Sequence, residues 1–464
     1  MSPNAGAAVG AADAAAMTAP ATASRRTLSP LWSAALAIGI LTTMGKVLGL
    51  AKEMLIAERF GAGASIDAVL LALALPTFFA HVVAGVLPMA LTPAYFRARG
   101  REGVAGAHRL AGTALVATYK LLALVALAVA ILSAWGGGVL SGSSLAPETR
   151  ALLPSLSLAF VPFTLLQGAS AAWTGLLAAE NRYFVGAAAP ALLPVVLVAT
   201  VWFGADAIGV WSIVTGLVTG SILQALVLAR AMRQSGIPLG GSGANLTEVS
   251  AQYLPAIGCA ILSSGSGLVD QAMAAWLPPG SVAALGYGSK LVSVGMAVGI
   301  IAIGTPILSV FSELAERTAW RELMAMMRQA GLVVLSVSLP LALILAVAST
   351  PIVRLAFERG AFTAADTAVV ANVQAVYLLQ LPAHFLAVLY ARVIAAMRVT
   401  RYLTIGAAIS VLVNLAGNLA LMGPLGVTGL ALSTTLVHVV SAAFLYLTAT
   451  RLLQQRLVSA GAAS

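Results

Sequence analysis

The chain has 464 residues, of which 60% are hydrophobic and only 9% are charged. A soluble domain carries roughly 25% charged residues, so this composition excludes a soluble globular protein and indicates a polytopic membrane protein. The net charge is +10, but the arginines cluster in short loops rather than on a face with interleaved aromatic residues, so we predict no nucleic-acid partner. The single cysteine, Cys259, excludes an internal disulfide, and its apolar neighbours predict a packed thiol.

Residues 1–29 are rich in alanine and are predicted to form a disordered cytoplasmic tail. Twelve apolar runs long enough to cross a bilayer follow. The predicted spans are 30–58, 66–96, 109–135, 150–178, 183–204, 207–230, 249–277, 281–311, 324–349, 364–395, 401–422 and 425–450. They divide the chain into an N-terminal six-helix lobe (30–234), a cytoplasmic linker (235–248), a C-terminal six-helix lobe (249–452) and a cytoplasmic tail (453–464).

Arginines orient these spans. The loops that follow the even-numbered spans are rich in arginine, whereas the opposite loops hold only Arg59, Arg150, Arg354 and Arg359. By the positive-inside rule, both termini are predicted to be cytoplasmic. A weak internal repeat at an offset of roughly 217 residues predicts that the two lobes are parallel repeats, with a substrate chamber between them.

All four lysines lie inside predicted spans. A cation near the middle of a spanning helix costs about 2.5–3.5 kcal/mol on insertion scales, and is tolerated where it faces a wet cavity or an anionic ligand. We therefore predict that Lys46 and Lys52 of span one and Lys290 of span eight converge in a cationic chamber. Snorkelling toward the membrane surface is the alternative for Lys52, and pairing or snorkelling accounts equally well for Lys120.

Three acidic residues are candidates for gating or ion coupling. Glu53 follows Lys52 directly and either pairs with it or carries protons. Asp67 opens span two and caps that helix, pairs with a lysine or gates the cavity. Asp270 in span seven either neutralises Lys290 or serves as a coupling acid.

The sequence contains no nucleotide-binding loop, nucleophile triad or metal-ligand motif. We therefore predict a transporter rather than an enzyme, with no cofactor, driven by an ion gradient, the membrane potential or substrate flux. Asn414 and Asn418 lie one helical turn apart, which predicts interhelical hydrogen bonds.

Three motifs resemble the MviN/MurJ lipid II flippases: Gly45-Lys-Val-Leu-Gly-Leu-Ala-Lys-Glu53, Phe60-Gly-Ala-Gly63 with Asp67, and Tyr287-Gly-Ser-Lys-Leu291. A fourth similar segment is 357–367, and the resemblance runs from about residue 30 to residue 452. It implies an all-α, MATE-like fold of the multidrug/oligosaccharidyl-lipid/polysaccharide exporter superfamily in the bacterial inner membrane. The implied activity is flipping of an undecaprenyl-pyrophosphate-linked saccharide by alternating access. The implied partners are this anionic lipid, membrane lipids, and glycan-synthesis or polymerase proteins.

The resemblance also places Lys46, Lys52 and Lys290 at positions where the family carries cavity arginines. A further arginine pair of the family is replaced by Ala80 and His81, and the family has fourteen spans where twelve are predicted here. These departures favour an exopolysaccharide or other surface-glycan precursor as the substrate.

Two alternatives stay open at this point. An ion-coupled antiporter of small organic cations shares the architecture, although a lysine-rich chamber repels cations. A non-transporting scaffold of a glycan-synthesis complex is the second alternative.

Overall fold

The structure is a computed structural model that describes residues 28–134 and 145–462. The described residues form helices and connecting turns, without a β-strand. The predicted tail over 1–29 falls almost entirely outside the described residues.

Fifteen α-helices are numbered here in chain order. They are α1 Leu28–Phe60, α2 Ala64–Phe79, α3 Leu87–Ala134, α4 Pro147–Ala159, α5 Val161–Ala179, α6 Tyr183–Ala188, α7 Leu192–Ile208, α8 Trp211–Gln234, α9 Thr247–Ala274, α10 Ser281–Glu316, α11 Trp320–Val347, α12 Ser349–Phe357, α13 Ala364–Leu378, α14 Gln380–Ala396 and α15 Arg401–Ala462. A π-helix over Ala80–Gly85 joins α2 to α3, and a 3-10 turn over Ala189–Ala191 joins α6 to α7.

Every predicted span coincides with one or more of these helices. Spans two and three run together through α3, which is interrupted at Gly103, and spans eleven and twelve run through α15, which is interrupted at Gly426. By length and composition, six described helical stretches could cross a membrane, or seven if α4 and α5, bent by 46°, count as one. The final helix continues to Ala462, through most of the predicted tail.

The helices form two bundles, as the predicted fold class requires. In the N-terminal bundle α3 packs on α5, and α7 and α8 pack on each other; in the C-terminal bundle α10 packs on α13 and α14, and α15 on α9 and α14. The bundles meet where α9 contacts α3, where α10 contacts α1 and α2, and where α12 contacts α1. The prediction of an all-α polytopic membrane fold is confirmed.

Contacts between loops divide the molecule into two ends. At the first, here called the arginine end, Arg99 contacts Glu180 at 2.9 Å and Arg398 contacts Glu316 at 3.6 Å. At the second, here called the glycine end, the Ser65 hydroxyl donates to Glu148 at 2.5 Å. Loops that the sequence assigns to one side of the membrane therefore touch each other. The cytoplasmic location of the termini stays a prediction.

The prediction for Cys259 is wrong, since this thiol is exposed. Apolar neighbours in the sequence do not distinguish a packed face of a membrane helix from an unpacked one, because both faces are apolar.

Two glycines at helix starts on the glycine end provide a matched pair of substitutions. Gly280 precedes α10 with φ +90°, and an added Cβ would lie 2.3 Å from the carbonyl oxygen of Ala62. Gly63 precedes α2 with φ −110° and open space around it. We expect Gly280→Ala to lower the midpoint of thermal unfolding in detergent, because a left-handed backbone alone costs a residue with a Cβ about 1–2 kcal/mol. Gly63→Ala should leave the midpoint nearly unchanged, and equal midpoints for both variants would contradict this account.

Candidate functional site

A buried carboxylate joins the two lobes. Glu53 is only 8% exposed, and its Oε1 lies 2.8 Å from Lys52 Nζ and 2.9 Å from Lys290 Nζ. Lys52 and Glu53 belong to α1, whereas Lys290 belongs to α10. One carboxylate oxygen therefore contacts two ammonium groups from different lobes, and the cluster keeps a net positive charge when all three groups are ionised.

Aromatic packing fixes α10 beside this cluster. The hydroxyl of Tyr287, three residues before Lys290, donates to the carbonyl oxygen of Gly61 at 3.2 Å. The Tyr287 ring packs against Phe357 and Phe362, with ring centroids 5.3 and 5.7 Å apart. Tyr287 thus couples the register of α10 to the end of α1, and this places Lys290 within reach of Glu53.

A cavity of about 120 Å³ opens beside the cluster. Lys52, Glu53, Tyr287 and Lys290 line it on one side, and apolar side chains line the rest. This volume lies below the roughly 300–1,000 Å³ of sites for drug-sized ligands, so the cavity suits a small anionic group rather than a saccharide.

The other two lysines lie outside this cavity. Lys46 is exposed on α1, six residues or about 9 Å before Lys52. Lys120 is exposed on α3. Within the described parts of the chain, neither lysine forms an ion pair. The structure therefore brings together two of the three predicted binding lysines.

Asp67 joins the lobes at the glycine end. Its carboxylate, 5% exposed, accepts hydrogen bonds from the backbone N–H groups of Gly280 at 2.6 Å and Ala283 at 2.7 Å. Asp67 belongs to α2, so it caps the first turn of α10 rather than its own helix. The partial positive charge at that helix start favours the carboxylate. The expectation that Asp67 caps its own helix is therefore wrong, because its carboxylate faces the start of α10 in the other lobe.

Asp270 lies within the C-terminal lobe and does not contact Lys290. It is 4% exposed, and its oxygens accept hydrogen bonds from Asn414 Nδ2 at 2.9 Å, Asn418 Nδ2 at 2.6 Å and Thr434 Oγ1 at 2.9 Å. The predicted interhelical hydrogen bonds of the two asparagines are confirmed, with Asp270 as the acceptor. Sequence reasoning missed the contact of Thr434 with Asp270, because this contact depends on how the two halves of α15 fold against each other.

A larger cavity of about 700 Å³ lies in the C-terminal lobe beside Asp270. His384 of α14 and His438 of α15 line it, with ring centroids 5.0 Å apart. Sequence reasoning missed this pair, because 54 positions separate the two residues and no local signal links them. His81, in the π-helix, lines a different small cavity with Thr77 and Gln167.

The lobes also touch at the arginine end. Arg97 and Arg101 of α3 contact Glu248, in the first turn of α9, at 3.1 and 3.3 Å. The hydrogen bond and charge of Arg97, followed by the charge of Arg101, lower the pKa of the exposed Glu248 carboxyl. Tyr253 of α9 donates to the carbonyl oxygen of Val83. The two lobes therefore contact each other on both sides of the lysine cluster.

Two apolar helix bundles that meet around paired charges are the architecture of a polytopic membrane transporter. Known structures share this fold. The lipid II flippase MurJ in an inward closed conformation superposes with a TM-score of 0.76 at 23% identity, covering 89% of this chain and 87% of that one. An inward-facing MATE-family multidrug transporter superposes with a TM-score of 0.72 at 12% identity, covering 91% and 98%.

The family model described as "Lipid II flippase MurJ" matches residues 56–461. A probable lipid II flippase MurJ of Rhizobium meliloti (strain 1021) is 28% identical over 422 residues, which cover 89% of this chain and 79% of the relative. A probable lipid II flippase MurJ of Rhizobium tropici is 26% identical over 425 residues, with the same coverage. The chain belongs to the MurJ family. The resemblance seen in the sequence is confirmed, as is the prediction of a multi-pass membrane transporter rather than an enzyme.

The Asp67 contact predicts a measurable opening of the glycine end. In a Cys259→Ser, Ser281→Cys background, we expect Asp67→Asn to speed maleimide labelling of the buried position 281. The two carboxylate oxygens of Asp67 each accept one backbone N–H, whereas asparagine offers only one acceptor oxygen, so one of the two hydrogen bonds is lost. A hydrogen bond to a charged group contributes about 1.5–3 kcal/mol, so labelling should accelerate about tenfold or more.

Asp366→Asn is the matched control. Asp366 lies at the same end but caps only its own helix, with Thr363. Equal labelling rates in the Asp67 and Asp366 variants would show that Asp67 does not hold the lobes together.

Because Glu53 contacts lysines from both lobes, we expect substitutions of Glu53 and Lys290 to have coupled effects on stability. Glu53→Gln should lower the thermal midpoint sharply, because removing one partner of a buried ion pair costs about 3–5 kcal/mol. Lys290→Met in the Glu53→Gln background should recover part of that loss, because fewer unpaired cations remain. Additive losses in a double-mutant cycle would rule out the coupling between the lobes.

Proposed function

We propose that this protein flips an undecaprenyl-pyrophosphate-linked saccharide across the bacterial inner membrane by alternating access. The observation that carries the proposal is the contact of Lys52 and Lys290, from two different lobes, with one oxygen of Glu53. The pyrophosphate of such a lipid is esterified at both ends and is a dianion at neutral pH, so it can neutralise both lysines, whereas Glu53 supplies a single negative charge. The names of the relatives, all lipid II flippases, support the same substrate class.

Substrate binding exchanges one anion for another. In the empty protein Glu53 holds Lys52 and Lys290 together. When the pyrophosphate contacts the two ammonium groups, Glu53 is released and the lobes change their relative position. The ligand drives this change because it binds one arrangement of the lysines more tightly than the other.

Lys46 provides a first contact for the substrate. It is exposed on α1 between the arginine end and the cluster. With both termini in the cytoplasm, as the arginine distribution predicts, the arginine end faces the cytoplasm. The pyrophosphate then enters from that side, meets Lys46 and moves to Lys52 and Lys290.

The contacts between lobes at the two ends act as gates that open in turn. Asp67, with its bonds to the start of α10, closes the outward side while substrate enters. The ion pairs of Glu248 with Arg97 and Arg101 close the cytoplasmic side. These last groups are exposed and exchange partners readily, since exposed ion pairs contribute only about 0–1 kcal/mol each.

Asp270 is the proposed site of ion coupling. Its carboxylate is buried among amide and hydroxyl groups, and the side-chain oxygens of Asn414 and Asn418 have no hydrogen-bond partner. Buried acceptors without donors favour a bound proton or small cation. Because α9 and α15 both contribute to this cluster, its occupancy biases the packing of the C-terminal lobe.

The presence of lysine rather than arginine in the cluster bears on which lipid-linked saccharide is transported. Lysine keeps the positive charge but loses the planar fork with which arginine grips phosphate through two hydrogen bonds. We propose lipid II or a related surface-glycan precursor as the substrate, and glycan-synthesis or polymerase proteins as neighbours in the membrane. Parallel transport assays with lipid II and with other undecaprenyl-pyrophosphate-linked saccharides separate these substrates.

The lysine cluster disfavours the antiporter alternative, because ammonium groups repel organic cations. The scaffold alternative differs in its response to mutation, since a scaffold tolerates loss of the cavity lysines.

We expect Lys290→Ala and Lys46→Ala to abolish flipping of a fluorescent undecaprenyl-pyrophosphate-linked saccharide in proteoliposomes. Each substitution removes a contact to the pyrophosphate, and Lys290→Arg should retain transport because charge is conserved. The measurement is the fraction of labelled lipid that an impermeant quencher reaches over time.

Lys120→Ala is the matched control, because it removes an exposed lysine that lines none of the cavities described above. Full transport by both the Lys290→Ala and Lys46→Ala proteins would refute the proposed function. Reconstituted amounts and thermal midpoints are compared first, so that a loss of transport is not a loss of protein.

A further inference from the structure

The cavity of about 700 Å³ in the C-terminal lobe has no assigned ligand. It lies among α9, α10, α13, α14 and α15, and its volume falls within the roughly 300–1,000 Å³ that small-molecule sites occupy. A polytopic bundle of this size has no structural need for such a space, since protein interiors pack about as densely as organic crystals.

The lining combines hydroxyl and amide groups with a larger apolar surface, and it contains no lysine or arginine. Serine hydroxyls contribute from several helices, among them Ser263 and Ser266 of α9 and Ser289 and Ser293 of α10. Asp270 is the only acidic residue in the lining, and three donors already satisfy its carboxylate. The cavity therefore suits an uncharged ligand that presents both apolar faces and hydroxyl or amide groups.

Three buried polar atoms in the lining have no hydrogen-bond partner among the described residues: Oδ1 of Asn414, next to Asp270, and one atom each of Gln380 and His384. Gln380 is 4% exposed and its Oε1 accepts no hydrogen bond, while Nε2 of His384 has no partner either. Buried polar atoms are rarely left unpaired. One unpaired acceptor and one unpaired ring nitrogen on neighbouring turns of α14 provide fixed contacts for ligand hydroxyls.

Aromatic surfaces lie beside these atoms. His384 and His438 meet edge to face, with an interplanar angle of 86°, and Tyr377 also lines the cavity. A flat ring packs well against the C–H face of a pyranose, while its nitrogen or hydroxyl bonds the sugar's oxygens. Hydroxyls, amides and rings together are the chemistry that recognises a saccharide.

The cavity adjoins the lysine cluster. Gly286 of α10 lines both this cavity and the small cavity of Lys52, Glu53 and Lys290. One turn further on, Ser289 faces the large cavity while Lys290 faces the small one. A pyrophosphate at the lysines thus lies next to a space that can hold the group attached to it.

We propose that the C-terminal cavity is the saccharide subsite of the transported lipid, with Gln380, His384 and His438 as its specificity-determining residues. The inference rests on the proposed function, and it divides the substrate between two places. The lysines hold the pyrophosphate, and the C-terminal lobe holds the sugar. The sugar is thereby recognised by the same lobe that contains Asp270, the proposed residue for ion coupling.

Binding of two lipids to the full chain in nanodiscs tests this division. The probes are undecaprenyl pyrophosphate and the same lipid carrying its saccharide, and affinity is measured by native mass spectrometry. Gln380→Leu and His438→Phe keep the volume and remove hydrogen-bonding atoms. We expect each to weaken binding of the saccharide-linked lipid about two- to tenfold, as the loss of one hydrogen bond predicts, and to leave binding of the sugar-free lipid unchanged.

His108→Phe is the control, because His108 stacks on Tyr95 at the arginine end, away from the cavity. Unchanged affinity of both cavity variants for the saccharide-linked lipid would overturn the subsite. An equal loss for both lipids would also overturn it, since the sugar then makes no separate contribution. If wild-type protein binds neither lipid, the proposed function itself fails. Retained binding of the sugar-free lipid shows that a variant is folded.

Discussion

The arrangement of this protein depends on one requirement: positive charge placed within an apolar helix bundle must be matched by negative charge. Glu53 meets that requirement for Lys52 and Lys290 together, and because the two lysines belong to different lobes, neutralising them also holds the lobes together. In the proposed mechanism, the same electrostatic need links binding to movement. Among the described residues, the contact of Glu53 with Lys290 is the only ion pair that joins the lobes in their interior, and we propose that an anionic substrate replaces it.

The three buried acids illustrate how surroundings decide what a carboxylate does. Glu53 faces ammonium groups, and we propose that it acts as an exchangeable counter-charge. Asp67 faces backbone N–H groups at a helix start and acts as a clasp between lobes. Asp270 faces two amides and a hydroxyl inside one lobe, which leaves it free of the lysines. A transporter needs a substrate site, gates and a coupling site, and here each is proposed to use one acid in a different environment.

Sequence reasoning succeeded where the signal was local and failed where it depended on which face of a helix is packed. Apolar run length fixed the positions of the helices, and the cost of burying charge identified Lys52 and Lys290 as neighbours of a shared site. The same reasoning predicted that Lys46 converges with them, whereas the structure leaves Lys46 exposed on α1 and outside their cavity; its role in substrate binding stays a prediction. It also predicted a packed Cys259, which is exposed.

The sequence by itself therefore determined that the protein is an all-α polytopic membrane protein, because this follows from composition and the length of the apolar runs, and its motifs identified the family. The energetics of charge in an apolar medium selected the residue types of the proposed central site. Only the tertiary structure decided the partners. In the structure, Asp67 accepts a hydrogen bond from the start of α10, Asp270 accepts hydrogen bonds from the asparagines of α15, and His384 lies beside His438. These contacts join residues 54 to 213 positions apart, and such distances are set by how whole helices pack, which no local pattern encodes.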